Sequence, residues 1–336
     1  MDPREMETGE VVSDVFLVSE AKLGTDRRGG KYYSLKVNCE GGTQLEAKVW
    51  SDNISSPLQP GQAIDALARV DEYKGKTQLN IQKYSVIPPD DFDPSPYVRT
   101  AEVDAEEAFE TIFNWDRDEF DNRFYKRLML AFHDAASFAA EFKTSPAATR
   151  HHHNYTGGLV EHTLEMWELA ERISEQYAGR VNRELLLAGV ALHDVGKIKC
   201  YRLISGVSER TDYGDLLDHI FISASMVSNL WDKIMTEEVV GEDGEEAARN
   251  KAMLLHVILS HHGRKEWGSP VLPQCPEAVL LHYCDQISAT MRSCFDAIEQ
   301  AGEGEDRTDW LTIMDNSRRL VVPPTGEEEE SAGGSP

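Results

Sequence analysis

LLLAGVALHDVGK, residues 185–197, sets eight apolar or small residues before an imidazole and a carboxylate. Such a run predicts a helix over 183–195 that is buried on every side. At its end stand His193 and Asp194, two groups that are costly to bury unless something holds them. Adjacent residues on a helix point about 100° apart, so both reach one site only if it lies close to the helix axis. Gly196 ends or bends the helix. Lys197, four residues after His193, shares its face, and a cation there suits a substrate phosphate.

Four more islands of the same chemistry flank this stretch: His162, His219, the pair His261-His262, and Asp285. A lone histidine on an apolar face is ordinarily a satisfied core residue, and His133, His256 and His282 read that way. Asp194 and Asp285 do not. Each lies in an apolar helix, where it would be a buried charge, and a cation supplies the partner. Imidazoles gathered with carboxylates are the donor set of a hydrolytic centre with two metal ions.

Upstream, the segments 11–18, 31–39, 43–50, 62–71 and 77–86 are rich in β-branched and aromatic residues and are separated by glycine turns. They predict a small antiparallel barrel of the OB type over 10–87, after a flexible N-terminus at 1–9. Tyr33, Leu35, Val37, Leu45, Ala47 and Val49 form its core by alternation. Tyr32, Lys36, Lys48 and Trp50 then share the outer face, and Tyr73, Lys74 and Lys76 extend it. Aromatics interleaved with lysines suit single-stranded nucleic acid; the competing use of Tyr32 and Trp50 is packing against the second domain.

A proline-rich, acidic linker, 88–103, precedes a helical domain at 104–315. Helices are expected over 106–115, 118–141, 162–177, 183–195, 219–235, 245–261 and 276–301, with a short one at 310–314. Residues 206–218 read as a polar loop, with His219 opening the next helix. Residues 237–246 are an acidic loop running into a helix. Residues 316–336 read as a disordered acidic tail.

Composition narrows the function. The chain has 336 residues and a net charge of −25, which argues against wrapping a long duplex. Up to residue 95 there are eleven basic and sixteen acidic residues, so any binding groove must be local. Five scattered cysteines without a C-x-x-C pair indicate reduced thiols and exclude a zinc finger. No apolar run of about 18 residues and no leader pattern are present. A cytoplasmic protein without a membrane partner is expected.

The order H…HD…H…HH…D with H-D-V-G-K resembles the HD phosphohydrolase superfamily. HHHNYTGGLVEHTL (151–164), LLDHI (216–220), LSHHGRKEWGSP (259–270) and LHYCDQISA (281–289) narrow the resemblance to the YhaM-type 3′→5′ exoribonucleases. Those proteins join an OB domain to an HD domain, and the resemblance covers roughly residues 10–300. It implies that His162, His193, Asp194 and Asp285 hold one metal. Asp194 then bridges to a second metal at His219, His261 and His262, and Lys197 contacts phosphate. It also implies self-assembly. The activity implied is metal-dependent 3′→5′ cleavage of single-stranded RNA, with DNA as the other substrate. Mixed imidazole and carboxylate donors suit Mn²⁺ first, then Fe²⁺ or Co²⁺, with Zn²⁺ an alternative. Asp194 and Lys197 are the expected catalytic groups, with Arg264 and Lys265 adding positive charge. His152, His153 and Tyr155, ahead of the first ligand helix, are expected at the substrate entrance. Two other readings stand beside this one. A phosphohydrolase of nucleotides or cyclic dinucleotides is weakened because no Gly-Tyr-Pro element follows His262. A non-catalytic nucleic-acid-binding protein is weakened because every ligand position is filled.

Overall fold

Strand alternation closes into a barrel. Five strands, β1 Val11–Thr25, β2 Lys31–Asn38, β3 Gln44–Trp50, β4 Ala63–Tyr73 and β5 Lys76–Ile87, follow the order β1-β2-β3-β5-β4. This computed structural model describes residues 6–26, 28–73, 76–116, 119–148, 155–299, 301, 305–313 and 316–323. Strands β3 and β5 run parallel and every other neighbouring pair runs antiparallel, the arrangement of an OB barrel. Tyr33, Leu35, Val37, Leu45, Ala47 and Val49 point inward and are buried, as the period-two reading requires. Strand β1 is longer than expected. A bulge between Val18 and Glu20 bends it, so one strand pairs first with β4 and then with β2. The 1–9 segment is tied down near its end, where the Gly9 N–H donates to the Val70 carbonyl at 2.8 Å.

The linker is bonded along its length. The Gly41 N–H donates to Pro96 O at 2.7 Å, and the Ala101 N–H to Thr156 O at 2.9 Å. Arg99 meets Asp296 at 2.9 Å. Beyond it come α1 Ala105–Phe113, α2 Arg123–His133, α3 Ala136–Thr144, α4 Gly158–Gln176, α5 Arg183–Leu192 and α6 Lys197–Cys200. A hairpin follows, β6 Tyr201–Ile204 with β7 Val207–Arg210. Then come α7 Asp212–Ile234, α8 Glu237–Val240, α9 Gly244–Leu259, α10 Pro276–Glu299, and a second hairpin, β8 Leu311–Ile313 with β9 Asn316–Arg318.

Helix α5 is the centre of this domain: every residue from Leu185 to Leu192 is buried. The helix expected over 118–141 is two helices, broken at Asp134 and Ala135. The Asn122 side chain starts α2 by accepting from the Phe124 and Tyr125 amides. Phe132 and Phe138 are six residues apart, so one straight helix would point them to different sides. The break brings their rings to 4.8 Å, among Phe109, Phe113 and Phe142.

The domain is not purely α. At the β6–β7 turn Ser205 and Gly206 both have positive φ, 47° and 76°, the pattern of a two-residue hairpin turn. The expected polar loop at 206–218 is therefore a strand and the first turns of α7; that helix is interrupted at Asp218, so His219 opens its second segment. Leu311–Ile313 is a strand, not a helix, because it pairs with Asn316–Arg318. The expected boundary at 315 thus cuts a hairpin in two, and the tail begins later. The acidic 237–246 segment folds as α8 and one 3-10 turn before α9.

Candidate metal centre

Five elements converge on one buried point. Helix α4 carries His162 in its second turn, α5 ends at His193, α7 brings His219, the C-terminus of α9 brings His261 and His262, and α10 brings Asp285. Two glycines permit the approach. A Cβ on Gly196 would lie 2.6 Å from both His219 O and Ser223 N, so only glycine lets α7 press on the His-Asp turn. Gly263 turns the chain after His262 at φ +72°, and a Cβ there would meet the His282 ring at 2.6 Å.

Asp194 is the middle of the centre. Its Oδ2 faces His193 Nε2 at 3.1 Å and His162 Nε2 at 3.9 Å. Its Oδ1 faces His219 Nε2 at 3.4 Å and His261 Nε2 at 3.8 Å. Asp285 Oδ1 is 3.4 Å from His162 Nε2, and Lys197 Nζ is 2.6 Å from Asp194 Oδ2. Candidate donor atoms fall into three groups, each within 4.8 Å: His162, His193 and Asp285; His193, Asp194 and His261; His219, His261 and His262.

Each imidazole is anchored through its outer nitrogen. The Nδ1 of His193 meets Val190 O at 2.8 Å, that of His261 meets Ile258 O at 2.7 Å, and that of His262 meets Trp267 O at 2.5 Å. His162 Nδ1 meets Ser288 Oγ at 2.9 Å, whose hydroxyl donates to Glu165. His219 Nδ1 meets the Asp218 carboxylate at 2.7 Å. Carbonyl and carboxylate oxygens only accept, so these rings carry their protons on Nδ1 and turn bare Nε2 lone pairs inward.

That arrangement is unfavourable without a cation. His219 Nε2 and His262 Nε2, both lone-pair bearers, face each other at 3.3 Å. Buried His193 Nε2 and Asp194 Oδ1 have no hydrogen-bond partner, an expensive state for polar atoms. Divalent cation binding among these donors would satisfy such atoms, and the mixed imidazole and carboxylate set fits it. Electrostatics agree. Burial opposes charge on Asp194, but His193, Lys197 and His219 outweigh it and hold the carboxyl well below its usual range. Asp285 is also lowered: burial is outweighed by His162 and the rings behind it. Burial and neighbouring imidazoles push His261 and His262 down, leaving them as free bases. Burial likewise disfavours charge on His193, but the Asp194 carboxylate draws its pKa up.

The HD domain family model matches residues 159–290, which contain every member of this centre. Beyond it, "3'-5' exoribonuclease YhaM" of Oceanobacillus iheyensis is 33% identical over 331 residues, 96% of each chain. The protein of that name from Bacillus subtilis is 32% identical over 325 residues, 95% of this chain and 96% of its own. That from Listeria welshimeri is 34% identical, covering 90% and 92%. The chain belongs to the YhaM family. In this YhaM-family chain the HD centre follows an OB barrel whose outer face is also built from aromatics. The Tyr32 and Trp50 rings lie 5.4 Å apart, and Lys48 Nζ sits 5.6 Å from the Trp50 ring and 4.8 Å from the Tyr73 ring. Trp50 and Tyr73 are 38% and 50% exposed, so their rings are reachable. Lys36 lies on the same face but is paired with Glu20 at 2.9 Å. Lys76 stands opposite Tyr73 in the register, while Lys74 lies outside the described residues.

Arg264 and Lys265 lie just past His262, and the Arg264 guanidinium stacks 4.4 Å from the Trp267 ring. Tyr155 is a correction: it is no entrance residue. It is buried, its hydroxyl donates to the Glu161 carboxylate, and its ring lies under the guanidiniums of Arg99 and Arg292. It belongs to the junction of linker, α4 and α10. His152 and His153, expected beside it, lie outside the described residues.

Residues behind the ligands escaped the sequence reading. Ser288, Glu165 and Asp218 fix rings. His282, read as a core histidine, meets His261 O through Nδ1 at 2.9 Å. Only Asp218 carried a signal, because a carboxylate directly before a candidate ligand can reach that ligand's own ring. No helix among the described residues is long and apolar enough to cross a membrane.

Proposed function

We propose that this chain degrades single-stranded RNA from its 3′ end, with divalent cations held on both sides of Asp194. The observation that carries the reading is that one buried carboxylate turns one oxygen to His162 and His193 and the other to His219 and His261. In this reading His162, His193, Asp194 and Asp285 hold one cation. His219, His261 and His262, with Asp194, hold the second. Such ions, when bound, lower the pKa of water and offset the charge that builds on a phosphodiester under attack. Asp194 and Lys197 are the catalytic groups of the chain itself. Lys197 is buried, which disfavours its charge, but Asp194 keeps it protonated, so it presents a fixed cation beside the reacting phosphate. Arg264 and Lys265 add positive charge at the rim.

The barrel holds the strand. Tyr32, Trp50 and Tyr73 offer stacking surfaces, while Lys36, Lys48, Lys74 and Lys76 supply phosphate contacts. On a chain of net charge −25 this groove is local, so binding weakens steeply with salt. Relatives named as exoribonucleases along 90% or more of the chain support RNA as substrate and 3′→5′ as the direction. Mn²⁺ is the cation we favour, since imidazole and carboxylate donors are mixed.

One assay tests the reading. RNA labelled at its 5′ end shortens stepwise, and RNA labelled at its 3′ end releases a labelled mononucleotide at once, only with added divalent ion. Asp194→Asn abolishes both while leaving the circular dichroism spectrum unchanged. Stepwise release of label from the 5′ end, or cleavage confined to nucleotides and cyclic dinucleotides, overturns it.

A further inference from the structure

Helix α7 is interrupted one residue before His219. Asp218 has φ 59° and ψ 158° inside an otherwise helical run, a backbone region that is almost reserved for glycine. Its carboxylate fills the break. Asp218 Oδ1 accepts from the His219 N–H and from His219 Nδ1, both at 2.7 Å. The break thus starts a new helix whose first side chain is the imidazole. Arg210, the last residue of β7, holds that carboxylate in turn. Its Nη2 lies 3.2 Å from the same oxygen and donates to Gly214 O at 2.6 Å, and its Nε meets Asp215 at 2.8 Å. The hairpin that delivers Arg210 is itself seated. A Cβ on Gly61 of the barrel would lie 2.7 Å from Ile204, and one on Gly206 would lie 2.3 Å from Val98 of the linker.

Among the described residues, the outer nitrogens of the other imidazoles of the centre meet different groups. His193, His261 and His262 rest on backbone carbonyls, and His162 rests on a neutral hydroxyl. A carboxylate behind an imidazole fixes its tautomer and strengthens it as a ligand. We propose that Asp218, clamped by Arg210, is the positioning residue that makes His219 a ligand and so governs retention of the second cation. The proposal rests on the two-cation reading above. The strain at Asp218 has a purpose in this view: it trades backbone comfort for the aim of one ring.

The test is cation stoichiometry and Mn²⁺ electron paramagnetic resonance on the full chain, with RNA turnover alongside. Wild type holds two ions and gives the spectrum of a spin-coupled pair. Asp218→Ala binds its second ion about 10- to 100-fold more weakly. At limiting Mn²⁺ it shows the six-line spectrum of a single ion, with reduced kcat and unchanged KM for RNA. Asp218→Asn keeps an acceptor oxygen and recovers most of the loss. Asp218→Gly relieves the backbone, so its thermal midpoint is not lowered, yet it also loses the second ion; this variant separates positioning from folding. Arg210→Ala falls between Asp218→Asn and Asp218→Ala. If wild type, Asp218→Ala and Asp218→Gly all retain a coupled pair with equal affinity, this inference fails alone. If wild type binds no cation, the metal-centre reading fails with it.

Discussion

The two halves of the centre are built by different means. His162, His193 and Asp285 stand on α4, α5 and α10, helices whose apolar faces form the main core. His219, His261 and His262 stand at a helix break and on a turn after a helix end. The first half inherits its geometry from close packing, which resists displacement. The second depends on local devices: a strained residue, a glycine turn and the Trp267 carbonyl. A centre built this way keeps one set of donors fixed while the other is sensitive to single side chains.

The sharpest way to break this comparison is to remove a donor from each half. Asp285→Ala takes away the carboxylate beside His162 and leaves a buried pocket of imidazoles. Hydrolysis falls to background, and the first cation is lost. His262→Ala relieves a lone-pair confrontation at 3.3 Å, so the fold survives, but the second cation is lost and the first retained. Metal analysis of both variants after dialysis decides the matter. Equal loss of both ions from both variants means that the halves are not separable.

Gly263→Ala gives the next effect. The added methyl enters the His282 ring at 2.6 Å and forces a left-handed residue that glycine alone adopts freely. We expect a stability loss of about 1–3 kcal/mol, with weaker cation binding only in the His219, His261 and His262 half. Urea unfolding with and without Mn²⁺ measures both. A variant as stable as wild type would show that the turn yields easily.

This division also marks what the sequence made legible. The apolar run at 185–192 announced α5, and the imidazoles and carboxylates that a hydrophobic context cannot tolerate alone marked the side chains that the fold gathers around Asp194. Alternation in 31–50 located the barrel and both its faces. The short hairpins were not legible, because strands of three or four residues have too little period to distinguish a strand from a loop. The Asp218 break was legible in part: a loop ending at 218 put His219 at a helix start, whereas the helical turns ahead of it and the contact with Arg210 depend on tertiary structure. Tyr155 went astray because an aromatic near a ligand helix looks like a gate, whereas its hydroxyl finds a buried carboxylate.

The smallest effect belongs to a histidine outside both halves, and it serves as their control. His133 lies between Asp134 and Glu110, at 3.0 and 2.8 Å. Burial disfavours its charge, but the two carboxylates outweigh that and raise it above its ordinary 6.5. Glu110 is lowered below 4.5, chiefly by its hydrogen bond with His133. The histidine's contribution to stability is complete below 6.5 and fades as pH rises through its raised value. The glutamate's contribution is complete above 4.5 and fades as pH falls through its lowered value. Wild type therefore exceeds His133→Gln most between these limits, by under about 1 kcal/mol because solvent screens the pair. Urea midpoints at pH 5.5 and 8.5 test the sign, and cation content must not change in either half. A gap that widened toward pH 8.5 would mean that His133 is held as the neutral base, and a change in cation content would mean that the centre reaches farther into α2 than its ligands do.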